Sequence, residues 1–133
     1  MIFFDIVIAF LHVLVDAEVY MYPPTEWIVL CGGQPGRLWK MRRSFYGRRT
    51  AGEYFRDCWE ETLLQFGGFE RGVIEPCVYH SKEYQLTVTH HVDDGRVVGP
   101  RESLVKFMDF LRTKMLVKAS KIIEPGDACE HLG

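Results

Sequence analysis

Two adjacent carboxylates, Asp93 and Asp94, stand between the apolar runs 86–89 and Val97-Val98 in the stretch His90-His91-Val92-Asp93-Asp94-Gly95. Apolar runs joined by a short acidic connection containing glycine are written as a β-hairpin with the carboxylates at its tip. Two anions side by side repel unless a cation sits between them. The pair therefore either holds a metal or is left in water as an ordinary Asp-Asp-Gly turn. A third carboxylate favours the metal. Asp5 stands alone within Ile2-Phe3-Phe4-Asp5-Ile6-Val7-Ile8-Ala9-Phe10, an otherwise apolar run suited to a buried strand. An unpaired carboxylate in such a place costs roughly several kcal/mol unless something cationic meets it. With the Asp5 strand beside the hairpin, three carboxylates converge on one point of a sheet, as two-metal phosphoryl transfer requires.

A different metal chemistry would use His90 and His91 with Asp93 and Asp94 as ligands of a transition-metal hydrolase. His91 and Asp93 share a face if both lie in a strand, but no second histidine cluster has suitable spacing. His12, His80 and His131 read as surface or satisfied core residues. The formal charge of −2 excludes a protein that coats nucleic acid through its overall charge. Local charge differs: Arg37, Lys40, Arg42, Arg43, Arg48 and Arg49 fall in one stretch without an acidic residue. That stretch is a candidate phosphate-binding face or a solvated basic surface. Cys31, Cys58, Cys77 and Cys129 show neither C-x-x-C pairing nor zinc spacing, and are expected to be reduced, mostly buried thiols of an intracellular protein. The apolar start lacks a basic leader and is interrupted by Asp5 and His12, so neither a signal peptide nor a membrane span is expected.

The elements that must position these groups follow from periodicity. Residues 2–8 read as a buried strand and 9–15 as a turn or short helix, with a second short strand over 18–22 stopped by Pro23-Pro24. Residues 25–36 read as a loop carrying an apolar island, and 38–41 as a further strand. Tyr54, Phe55, Cys58, Trp59, Leu63 and Phe66 recur at helical spacing and read as core, with Gly67-Gly68 as the stop. Residues 77–80 predict a strand before the hairpin, in which Gly95-Arg96 is expected to weaken the second arm. After Gly99-Pro100, Leu104, Phe107, Met108, Leu111 and Met115 mark a second amphipathic helix. Residues 116–133 carry no clear pattern. The expected fold class is α+β, a sheet with two helices packed on one face, in one domain over residues 1–133.

Several segments resemble one family in order. Asp5-Ile6-Val7-Ile8-Ala9-Phe10-Leu11, then Glu18-Val19-Tyr20-Met21 and Pro23-Pro24, resembles the opening motif of the copia-type retrotransposon reverse transcriptase palm. Leu38-Trp39-Lys40-Met41-Arg42-Arg43-Ser44-Phe45-Tyr46-Gly47 is similar to that family's segment ending in Leu-Tyr-Gly-Leu. Gly68-Phe69-Glu70-Arg71 with Glu75-Pro76-Cys77-Val78-Tyr79, Val92-Asp93-Asp94 and Leu132-Gly133 match further motifs, the third being the Tyr-Val-Asp-Asp box. The resemblance covers nearly the whole chain.

It implies an antiparallel palm-like sheet with fingers and thumb missing, cut from a polyprotein that also carries integrase and ribonuclease H. The implied activity is RNA- and DNA-templated DNA synthesis on a primer-template from deoxynucleoside triphosphates, within a cytoplasmic particle or the nucleus. Asp5, Asp93 and Asp94 become the catalytic aspartates and the ligands of two Mg2+ (or Mn2+) ions. His91, Tyr46 and Thr50 fall near the nucleotide or primer, and Arg42, Arg43, Arg48 and Arg49 along the nucleic-acid backbone. The chain departs from the pattern at His91 (an aromatic in the family), Gly95, Thr50 (a glutamine) and Glu53 (a positive charge). These departures, with the missing subdomains, imply a chain inactive in isolation. They motivate the alternative of a non-catalytic relic or nucleic-acid-binding module retaining the palm fold.

Overall fold

The computed structural model describes residues 1–15 and 18–127. Cys129, His131 and the Leu132-Gly133 motif lie outside the described residues.

Strand β1 (Ile2–Ile6) alternates buried Ile2, Phe4 and Ile6 with half-buried Phe3 and Asp5, the period-two pattern of a strand with one covered face. A 3-10 turn, Ala9–His12, follows, entered through Ile8 at φ 54°. Then come β2 (Tyr20–Met21), helix α1 (Thr25–Leu30) and β3 (Trp39–Lys40), with β2 and β3 paired as a small ribbon. Helix α2 (Ala51–Phe66) ends at Gly67, whose φ of 99° is open to glycine and costly for other residues. Four strands follow in meander order: β4 (Phe69–Arg71), β5 (Val78–Ser81), β6 (Leu86–His91) and β7 (Asp94–Val98). Helix α3 (Arg101–Lys114) and β8 (Val117–Ala119) complete the described chain.

The main sheet has the order β4-β5-β6-β7-β1-β8, and every neighbouring pair is antiparallel. β1 is therefore inserted between the last hairpin arm and the last strand, although it comes first in sequence. α2 and α3 cover one face. Phe55, Trp59 and Leu63 of α2 and Leu104, Phe107 and Leu111 of α3 pack on Phe4, Ile6, Leu86, Val88 and Val97 of the sheet. Each fully buried side chain of this kind stabilises by about 1.5–3 kcal/mol relative to exposure. The α+β class, the antiparallel sheet and the two covering helices agree with the sequence.

The structure corrects the reading in four places. Residues 25–30 are helical rather than loop, because Pro24 sets the extended entry and one turn closes without burying any residue. β4 and β8 are strands that carry too few alternating residues to announce themselves; they exist because β5 and β1 offer edges to pair with. Cys31 and Cys77 are exposed, the first following the solvent-facing α1, and among the described cysteines only Cys58 is half-buried. Burial, then the nearby Glu61, pushes the Cys58 thiol up. Gly95 does not loosen the hairpin: β7 pairs with β6 along its whole length and with β1 from Asp94 to Val97.

Candidate active site

Side chains alternate across the sheet, so register decides what shares the uncovered face. His91 pairs with Asp94 on β6–β7, Asp94 with Asp5 on β7–β1, and Asp5 with Lys118 on β1–β8. These four residues form a single row across four strands. One row along lie Thr89, Arg96 and Phe3, paired in the same way. The two rows line an open cleft of about 830 Å3 that also takes in Asp93 and Ser120.

Asp94 is the first residue of β7, while Asp93 sits in the two-residue loop Val92-Asp93. The Ile6 N–H donates to the Asp93 carbonyl at 2.7 Å, which ties the loop to the end of β1. Val92 has φ 56°, and Asp93 does not have positive φ. That is the pattern of a two-residue hairpin turn with its first residue in left-handed space, where glycine is preferred and a β-branched residue is strained. Sequence reading put both aspartates at the tip; the tighter hairpin gives them different roles. Asp94 points from the sheet opposite Asp5, and Asp93 rides on the loop.

Beneath the carboxylates, on the covered side, lies an aromatic floor. His90 stacks on Trp59 at 4.2 Å between ring centroids and 14° between planes, and the Phe4 ring lies 5.9 Å from Trp59. Gly95 faces the same side, and a Cβ there would overlap the Phe4 ring, lying 2.7 Å from Cε1. The glycine makes room for Phe4, which explains a residue that otherwise weakens a strand. His90 is 7% exposed, and burial above all pushes its pKa down to about 4. It faces away from His91 and is neutral near pH 7. This rules out a ligand set joining His90 to His91, Asp93 and Asp94, since adjacent strand residues point to opposite faces.

The basic stretch stands apart from the cleft lining. Arg43 donates to the His12 carbonyl at 2.7 Å, and the Arg48 guanidinium lies 5.8 Å from the Tyr54 ring centre. Arg42 and Arg49 are exposed. Tyr46 packs edge-on against Phe10 at 4.9 Å, and Thr50 occupies the N-cap position of α2 without a side-chain capping bond. The cations that do line the cleft, Arg96 and Lys118, escaped sequence reading. Lys118 lies on β8, a strand with no sequence signal, and Arg96 seemed only to disturb a strand.

The family model described as reverse transcriptase (RNA-dependent DNA polymerase) matches residues 1–133. The chain belongs to the reverse transcriptase family. Neither a curated protein nor a solved structure matches it. In a reverse transcriptase chain, a cleft edged by aspartates on an uncovered sheet face is the natural candidate for the reacting centre. The donor chemistry suits a hard divalent cation, since Asp5, Asp93 and Asp94 offer only carboxylate oxygens. Among the described residues, no three His, Cys, Asp or Glu side chains are already grouped to hold an ion. No helix among them is long and apolar enough to cross a membrane.

Proposed function

We propose that the chain is the palm of a copia-type reverse transcriptase and that the Asp5, Asp93 and Asp94 edge is its nucleotidyl-transfer centre. The observation that carries this reading is the β1–β7 register, which sets Asp5 directly opposite Asp94 with Asp93 one residue away. Directly opposed residues of an antiparallel pair have Cα atoms about 4.5–5.5 Å apart, so both carboxylates reach a common point by side-chain rotation alone. Asp5 and Asp94 on the sheet and Asp93 on the loop would hold the cation. Two Mg2+ or Mn2+ ions held by Asp5, Asp93 and Asp94 would supply Lewis acidity at the primer hydroxyl and charge neutralisation at the leaving group.

The reaction joins the primer 3′-oxygen to the α-phosphorus of a deoxynucleoside triphosphate and breaks the bond to pyrophosphate, which leaves; the hydroxyl proton passes to solvent. His91, in the same row as Asp94, lies against the primer end or nucleotide. Tyr46 and Thr50 belong to the nucleotide side, with Arg42, Arg43, Arg48 and Arg49 on the strand backbone. The natural setting is an intracellular retrotransposon polyprotein with integrase and ribonuclease H.

Calorimetric titration with Mn2+ tests the reading. Binding by the wild type that disappears in Asp93→Asn and Asp5→Asn is expected. Equal heats in all three would refute the centre. The departures from the family pattern at His91, Thr50 and Glu53 motivate a second reading, a non-catalytic nucleic-acid-binding module. Salt-sensitive primer-template binding without any metal binding would establish it.

A further inference from the structure

The cleft carries two cations, Arg96 and Lys118, on the same face as the carboxylates. Neither side chain takes part in an ion pair, hydrogen bond or ring contact among the described residues, although Lys118 stands directly across from Asp5 in register. A lysine opposite a carboxylate that leaves it unpaired is available to another anion. Arg96 sits one row away, opposite Phe3 and diagonal to Asp5, and pairs with neither Asp5 nor Asp94. From the strand spacing and the rise per residue, the Cα atoms of Arg96 and Lys118 are about 12 Å apart, on a diagonal that passes beside Asp5. Long flexible side chains at its two ends can each take one phosphate of an extended strand while the carboxylates face the strand between them.

We propose that Arg96 and Lys118 form a pair of phosphate contacts that seat one nucleic-acid strand across the uncovered sheet face. The proposal rests on the reading of this face as the reacting centre only for the identity of the strand as a primer. The contacts themselves need no metal, because phosphate binding by Lys and Arg is a matter of charge and counterion release. Arg96 supplies a planar fork that fixes strand direction, and Lys118 a point charge that adjusts to it. Their placement also gives the face both signs of charge, so that an approaching strand is held beside the aspartates rather than repelled by them.

The test is fluorescence anisotropy of a labelled DNA primer-template in EDTA, over a salt series, with wild type, Arg96→Ala, Lys118→Ala, Arg96→Lys and the control Lys106→Ala on the exposed side of α3. Each alanine variant in the cleft is expected to weaken binding and to lower the salt slope by about one unit. Arg96→Lys should recover the slope, and Lys106→Ala should match wild type. Circular dichroism melts confirm that the exposed substitutions leave the fold intact. Unchanged affinity and slope in both alanine variants overturns the proposal. So does competition by inorganic tripolyphosphate that depends on Arg96 and Lys118 while the DNA does not, since the pair would then serve a free triphosphate. Because EDTA is present, loss of binding in these variants stands even if the Mn2+ titration of Asp93→Asn fails, and the two readings are separable.

Discussion

Substituting Gly95 by alanine sets two effects of opposite sign against each other. Glycine in a strand interior is entropically expensive, and on propensity alone Gly95→Ala gains about 0.5–1 kcal/mol. Packing says the reverse. The new methyl would overlap the Phe4 ring, which is 4% exposed and held against Trp59, itself fully buried. Forcing one methyl into a filled core costs about 1–3 kcal/mol. If the ring is expelled instead, the loss approaches the roughly 3–5 kcal/mol of a Phe→Ala change. Packing wins: set against the propensity gain, the mid-range net expectation is a loss of about 1 kcal/mol, rising to about 3 kcal/mol if the ring is expelled. Urea unfolding followed by tryptophan fluorescence measures it. A double-mutant cycle isolates the cause: in a Phe4→Ala background, Gly95→Ala should be neutral or stabilising. A Gly95→Ala protein as stable as wild type, or a penalty that persists without Phe4, would refute the account of why glycine follows the two aspartates.

Two further outcomes are expected. His90 has a folded-state pKa lowered from 6.5 to about 4, so the unfolded chain takes up its proton first as pH falls. Its contribution is therefore complete above the unfolded pKa and is lost progressively between about pH 6.5 and 4, amounting to about 3 kcal/mol in all. Urea midpoints at pH 7.5 and 4.5 should differ by less in His90→Phe than in wild type, and equal differences would contradict the buried neutral imidazole. At the loop, Val92→Gly should relieve about 1–2 kcal/mol of left-handed strain against about 0.5–1 kcal/mol of chain entropy. A small rise in melting temperature follows, and a clear fall would mean that Val92 makes packing contacts that outweigh its backbone strain.

Much of the design is written locally. The alternation of Ile2, Phe4 and Ile6 around Asp5, the helical spacing from Tyr54 to Phe66 and from Leu104 to Met115, and the stop at Gly67 each depend on neighbours within a few residues, and the sequence alone determined them. So did the presence of a hairpin around Asp93 and Asp94, because apolar arms and a short polar connection suffice to specify one. The rest depends on partners far along the chain. Asp5 meets Asp94 because β1 inserts beside β7, a pairing across some ninety positions that no local pattern encodes. β8 is too short to show a period, yet pairing with β1 makes it a strand and brings Lys118 to the cleft. His90 and His91 look equivalent as a dipeptide. Sheet alternation buries one on Trp59 and leaves the other beside Asp94, since only the side of the sheet that α2 and α3 cover decides which face is core.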